Sequence, residues 1–355
     1  MQVEVTPTPN PDGIKRGGTL LAAISADPQG FDPHITSAHS SFEILENVYD
    51  TLVTVDDDLN MVPSLAESWE VSEDNLTWIF HLREGVTFHN GRALTADDVV
   101  YSYERIMDEE TGSGVSWRFG SVESVEAVDD LTVAINLTEA SPNLLGRIGA
   151  YKGMSIIPQE IVEDGTVDTF PLGTGPFKFV EFIPGDHVTL EANPDYWDEG
   201  KPYLDGVTFK IIPDETVLLT NLLTGEVDWA DSLPPQRVTE LATSGEIIVQ
   251  KKSGGDYWYI GLNLERDPFD DVRVRQAIAY AVNRNDVATA AKWDTATPNQ
   301  GPISPDSFWH YDYQPFDQDL EKARELLAEA GYPNGFDTEF MPTTFYEETV
   351  RSAQV

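Results

Sequence analysis

The sequence predicts a mixed α/β fold of more than one domain, and three observations carry that reading. Its 355 residues are enough for two or three domains and a substantial core. Stretches of apolar alternation interleave with stretches whose apolar residues recur every three or four positions, so strands and helices mix along the whole chain. Apolar residues make up 40% and aromatics 10%, and the 26 glycines and 23 prolines are spread as turn punctuation, which describes a folded chain rather than a disordered one. No internal repeat is visible.

The elements follow in order. Residues 1–16, with "TPTPNPDG", read as an extended Pro/Thr-rich tether without the apolar run of a signal peptide. The targeting part is expected upstream of it, with a cytosolic N-terminus as the alternative. "GGTLLAAIS" (17–25) is a strand, "DPQGFDPHITS" (27–37) a turn-rich loop, and 40–50 an amphipathic helix with Phe42, Leu45, Val48 and Tyr49 on one side. From Leu76 the pattern alternates: Trp78, Phe80 and Leu82 point inward, Ile79, His81 and Arg83 outward. Turns at Glu84-Gly85 and Asn90-Gly91 lead to Thr95, a helix N-cap whose capping box is completed by Asp98. The helix runs from about Ala96 to Met107, with Val99, Val100, Tyr103, Ile106 and Met107 on one face.

Further on, 122–137 reads as a hairpin around Asp129-Asp130, and 175–193 as another turning at Pro184-Gly185. A strand at 207–213 precedes a helix from Glu215 to Leu223 stopped by Gly225. "GEIIVQKK" (245–252), "DYWYIGLNL" (256–264) and "FDTEFMP" (336–342) read as strands. Asp271 and Asp317 are expected to cap two more helices, the second stopped by Gly331, and the last residues read as the start of a helix.

Composition narrows the function. Sixty-two acidic residues against 22 basic ones give a formal charge of −40, a surface that repels nucleic acid and anionic lipid. Abundant acid with scarce lysine is also the pattern of adaptation to high salt, where self-repulsion is screened; a plain solvated acidic face is the alternative. Cysteine is absent, which excludes disulfides, thiolate catalysis and thiolate metal sites. No stretch is long and apolar enough for a membrane span. His81 and His89, near Glu84, Asp97 and Asp98, raise the question of a metal or acid–base site. The strand, turn and cap assignments give each of them a structural role instead. His34 and His39 are expected to be surface loop residues. Gly-x-Ser-x-Gly, phosphate-loop, His-Glu-x-x-His and dinucleotide motifs are all missing, and "GTGPF" (173–177) has two glycines and runs into a strand.

"LAESWEVSEDNLTWIFHLREGVTFHNGRALTADDVVYSYERI" (65–106) resembles the signature region of the dipeptide/oligopeptide-type (family 5) solute-binding proteins of ABC importers. The resemblance continues through "GTGPFKFVEFIPGDHVTLEANPDYWDEGKPYLDGVTFKIIPD" (173–214), "LLTGEVD" (222–228), "YIGLNLERDPFDDVRVRQAIAYAVNRNDV" (259–287) and "FDQDLEKARELLAEAGYPNGF" (316–336). It implies a two-lobed periplasmic-binding-protein-like fold with an extra subdomain in the first lobe. Residues 17–55 and 171–262 would form the lobe I core, 56–170 the inserted subdomain, and 263–355 the start of lobe II, with the remainder of that lobe beyond Val355.

The resemblance also implies an extracytoplasmic, membrane-tethered monomer that captures a small solute, a di- or oligopeptide by default. The lobes would close over it and deliver it to ABC permease subunits, with neither enzyme chemistry nor a cofactor or metal. The ligand amino group would be held by an aspartate of the second lobe beyond this sequence, so peptide, nickel and sugar ligands are not separated. It places Phe31 and Asp32 in a cleft loop, and Trp117, beside Arg118, in a loop over the ligand. It places Tyr257, Trp258, Tyr259 and Asn263 at the crossing between lobes. Strand alternation puts Tyr257 and Tyr259 on one face and Trp258 on the other. Core or surface packing is the competing role for these aromatics, and a solvent ion pair for Arg118. Two other functions stay open: an extracellular hydrolase such as a glycosidase with paired carboxylates, and a ligand-sensing receptor subunit.

Overall fold

A computed structural model describes residues 14–56, 60–150, 152–250, 257–293, 295–305, 307, 310–344 and 347–355. Residues 1–13 of the tether lie outside the described residues, as do Lys251, Lys252 and Asp256 of the strands expected nearby. The chain divides into two compact units, Met1–Ser232 and Leu233–Val355.

In the first unit the elements are β1 (Thr19–Ile24), α1 (His39–Val48), β2 (Val53–Val55), β3 (Met61–Pro63), β4 (Ala66–Val71), β5 (Thr77–Leu82) and α2 (Ala96–Met107). They continue through β6 (Val122–Asp129), β7 (Thr132–Leu137), α3 (Gln159–Glu163), β8 (Phe177–Ile183), β9 (His187–Ala192), β10 (Gly206–Ile211), α4 (Glu215–Thr224) and β11 (Trp229–Ala230). One sheet has the order β11-β1-β10-β9-β8, with β1 parallel to both β10 and β11 and the remaining pairs antiparallel. The interior strand β1, between β11 and β10, is covered on both faces. Ala22 and Ile24 enter the core shared with α1, and Ala23 the small core under α4 with Leu218 and Val227. This explains why "LLAAI" is a continuous apolar run rather than an alternating one. A second, antiparallel sheet has the order β4-β5-β7-β6. Its inner face, including Phe80, Val133 and Ile135, packs against Val99, Tyr103 and Ile106 of α2.

Local signals in this unit read through to structure. Trp78, Phe80 and Leu82 alternate inward, and α2 starts with the Thr95/Asp98 capping box and ends at Met107. The two hairpins turn where expected, and Gly225 closes α4 in the left-handed region at φ 75°. The glycines of "GTGPF" have a packing origin. A Cβ on Gly173 would lie 2.2 Å from the Val48 carbonyl oxygen, and one on Gly175 2.6 Å from it. Only glycine lets this segment run against the end of α1, where Gly175 N–H donates to the Val48 carbonyl at 2.9 Å.

The second unit contains α5 (Val238–Ser244), α6 (Val272–Ala281), α7 (Arg284–Lys292), α8 (Leu320–Glu329) and α9 (Glu347–Ala353). Ala277 of α6 packs against Ala323 and Leu326 of α8, flanked by Tyr280 and Leu327. Asp271 caps α6 as expected. The cap of α8 is Asp319, not Asp317: its carboxylate accepts from the Lys322 N–H at 2.8 Å. Gly331 follows the helix at φ 96°. The strands expected at 245–252, 256–264 and 336–342 are not formed among the described residues. Alternation alone does not make a strand; its N–H and C=O groups need a neighbouring ladder, and the described part of this unit supplies none. The helix α7, capped by Asn283, was not expected.

Candidate functional site

The loop of residues 27–37 in the first unit is built from its buried end outward. Asp168 accepts from the N–H groups of Phe31 (2.9 Å) and Asp32 (3.3 Å) and fills the space that a Cβ on Gly30 would need. The Phe31 side chain is buried, edge-on to Phe179 and Phe182 at 5.2 and 5.3 Å. It borders a hollow of about 400 Å³ with Gly30, Asp168, Thr169 and Phe182. Asp32 is buried too. Both its oxygens are taken by Arg105 of α2, at 2.6 Å (Nη2–Oδ2) and 3.0 Å (Nη1–Oδ1), and Oδ1 also accepts from the His34 N–H.

His34 is buried, not a surface residue. Its Nε2–H donates to the Ser155 carbonyl at 2.9 Å, and its Nδ1 accepts from Arg105 at 3.0 Å. Burial above all, and then the Arg105 charge, push its pKa down to about 4, so the ring is neutral at pH 7. The sequence hid this because its partners stand 71 and 121 residues away.

Beyond His34 the chain reaches a hollow of about 240 Å³. It is rimmed by Pro33–Ser37, Phe42, Gly114–Val115, Trp117–Arg118 and Lys152–Gly153. Trp117 is 66% exposed on a short 3-10 turn, Ser116–Phe119. The Arg118 guanidinium lies 4.9 Å from the centre of its ring, and Arg147 donates to its carbonyl. The Lys152 ammonium sits 4.9 Å from the Phe42 ring centre. Arg105 and Lys152 were not singled out from the sequence. Arg105 carried a readable signal: it falls two helical turns after the buried Asp98, on the same side of α2.

His89, the other half of the histidine question, is a half-buried structural pin. The Gly173 N–H donates to its Nδ1 at 3.3 Å and its Nε2–H donates to the Gly175 carbonyl at 3.0 Å. Burial pushes its pKa down to about 4. Asp98 binds Arg92 at 2.6 Å, and His81 lies on the outer strand face beside Glu70. Among the described residues no group of three or more His, Asp or Glu side chains is arranged to hold a metal.

The remaining candidates belong to the second unit. Tyr257, Trp258 and Tyr259 are exposed, and the Tyr257 and Tyr259 rings lie 5.6 Å apart in a segment that is not a strand. The Asn263 side chain accepts from the Glu265 N–H at 3.0 Å, in a turn.

A sequence profile of the bacterial extracellular solute-binding proteins, family 5 middle region, matches residues 60–355. This chain is a family 5 bacterial extracellular solute-binding protein. Family 5 members are the non-enzymatic, extracytoplasmic binding components of ABC importers. The chain is 33% identical over 350 residues to heme-binding protein A of Haemophilus influenzae, covering 91% of this chain and 63% of that protein. It is 32% identical to the glutathione-binding protein GsiB of Pectobacterium atrosepticum, covering 90% of this chain and 62% of that one. It therefore spans somewhat less than two thirds of these relatives. Among solved structures, the periplasmic binding protein DppA of Helicobacter pylori in complex with the peptide STSA superposes with a TM-score of 0.80 at 31% identity, covering 90% of this chain and 67% of that one. The mixed α/β fold of this chain thus matches the corresponding part of the family's two-lobed proteins. Among the described residues no helix is long and apolar enough to cross a membrane.

Proposed function

We propose that this family 5 chain serves in the extracytoplasmic solute-binding component of an ABC importer, and that the 240 Å³ hollow of its first unit is part of the wall that meets the solute. The observation that carries this reading is the convergence on one hollow of two loops from distant sequence, 33–37 and 114–118, with an exposed indole between them. Trp117 is the contact residue there. Tyr257, Trp258, Tyr259 and Asn263 supply ligand contacts from the second unit. Phe31 and Asp32 act from behind the wall, because both side chains are buried. The protein works as a monomer, tethered outside the membrane by its N-terminal segment, and hands its solute to permease subunits. It does not bind nucleic acid, given its charge of −40.

The default ligand is a di- or oligopeptide. Relatives named for heme and for glutathione make those the next solutes to try. The experiment is a thermal-shift screen of the full chain against peptide, glutathione, heme, nickel-chelate and sugar pools, followed by calorimetric titration of the hits. A solute that binds only the native state raises the midpoint. Trp117→Ala and Tyr259→Ala are each expected to weaken the hit by about tenfold with an unchanged melting midpoint, as loss of an aromatic anchor does. No shift from any pool, or conversion of a solute to product, overturns the proposal.

A further inference from the structure

The hollow is cationic in a chain that is otherwise strongly acidic. Lys152 and Arg118 line it, and Arg147 lies just behind, donating to the Trp117 carbonyl at 3.4 Å. These are three of only 22 basic residues set against 62 acidic ones. Among the described residues no carboxylate oxygen lies within 4 Å of the Lys152 ammonium or the Arg147 guanidinium, whereas Arg92, Lys201, Arg237 and Lys322 all have such a partner.

Two of the negative groups nearby are silenced, and a third, Glu46 of α1, which also feels the Lys152 charge, has its pKa raised by burial. Both oxygens of Asp32 are engaged by Arg105. Glu43 of α1, whose carboxyl feels Lys152, has its pKa pushed up to about 8 by burial first and then by Asp231 and Glu46, so at pH 7 it is largely protonated. The His34 ring at the hollow is neutral and brings no charge of its own.

We propose that this hollow is an anion subsite: Lys152 and Arg118 receive a carboxylate of the solute, and the exposed Trp117 indole covers the planar or apolar part next to it. A half-buried ammonium over an aromatic ring, with no carboxylate oxygen within 4 Å among the described residues, gains a charge-assisted hydrogen bond when a carboxylate arrives. The family relatives named above handle heme, glutathione and a peptide, and all three molecules carry carboxylates. The proposal rests on the solute-binding reading and narrows it to carboxylate-bearing solutes.

The test is calorimetric titration of the full chain at pH 7 with matched pairs: glutathione and its diethyl ester, tri-alanine and its amide, hemin and its dimethyl ester. The acid of at least one pair is expected to bind about tenfold or more tighter than its neutral partner. Lys152→Gln brings the two near parity, and Lys152→Arg restores the preference. The wild-type ratio needs no variant, so a Gln variant that failed to fold would not block the test. Neutral partners that bind as tightly as their acids, or a preference that survives Lys152→Gln, overturn the anion subsite and leave solute binding standing. No binding by any member of any pair counts against both.

Discussion

Removing Arg105 should be among the most damaging single changes in the first unit. Its guanidinium is 10% exposed and grips an Asp32 carboxylate that is 4% exposed. Arg105→Met leaves that carboxylate with the Asp168-bound loop around it and the His34 N–H at 3.0 Å as its remaining short contact. His34 Nδ1 loses its donor at the same time. Breaking a buried pair by deleting one partner costs about 3–5 kcal/mol, because the uncompensated charge stays in a poorly solvating site. For a unit spanning Met1–Ser232, about 2–4 °C per kcal/mol converts this to a fall of roughly 6–20 °C in the melting midpoint.

Differential scanning calorimetry of the full chain reads that shift. A double-mutant cycle identifies its cause. Asp32→Asn removes the stranded charge, so the Arg105→Met, Asp32→Asn pair should recover at least about 1.5 kcal/mol relative to the sum of the single changes. A single-variant cost below about 1 kcal/mol, or strict additivity of the two, would refute the argument that this pair holds the loop of residues 27–37.

Two pH effects of opposite sign are expected from buried groups. His34 and His89 have folded pKa values of about 4 against 6.5 unfolded, so between those values the unfolded chain binds more protons. Stability should fall as pH drops from 6.5 to 4, by up to about 3 kcal/mol for each ring, and His89→Asn should flatten that limb in urea titrations. Glu43 is raised from 4.5 to about 8, so the native state binds the extra proton and its contribution is lost as pH rises through that window. Glu43→Gln should therefore stabilise more at pH 8.5 than at pH 4.5, with a ceiling of about 5 kcal/mol; an equal effect at both pH values would contradict the buried, protonated carboxyl. With 62 acids against 22 bases, the melting midpoint should climb by several degrees between about 0.1 and 2 M KCl as repulsion is screened, and a flat salt series would count against salt adaptation.

What the sequence revealed and what it hid divide along contact range. The start of α2 is written within four residues, Thr95 to Asp98, and its capping box forms as read. The hairpin strands β5 and β9 alternate against a core that the same segments build, so period and face agree, and β8 does so until its register shifts after Phe179. Alternation at 336–342 looks similar on paper, but it leaves Phe340 and Met341 exposed and has no ladder to join. The glycines of 173–177 could be separated from a dinucleotide turn by spacing alone. Their cause is the backbone of Val48, 125 residues earlier. His34 was misplaced for the same reason: nothing within several residues of it shows the arginine and the carbonyl that bury it.

The scarcity of basic residues makes their positions informative. Arg92 and Arg105 stand just ahead of α2 and within its last turn. Arg92 ties the start of the helix to Asp98 and to Glu160 of α3, while Arg105 ties its end to Asp32 in the loop of residues 27–37. Between them, the Ser102 hydroxyl donates to the Asp98 carbonyl at 2.7 Å and accepts the Ile157 N–H at 2.9 Å. One face of α2 belongs to the core of the antiparallel sheet, while Tyr101 packs against the core around α1. The helix thus joins the two cores of the first unit, and each core contributes one loop to the hollow: 33–37 ahead of α1, and 114–118 just after α2. A change that tilts α2 should alter the spacing of those loops before it exposes either core. Conservative variants at Ser102 or Arg92 are therefore where solute affinity and global stability should come apart.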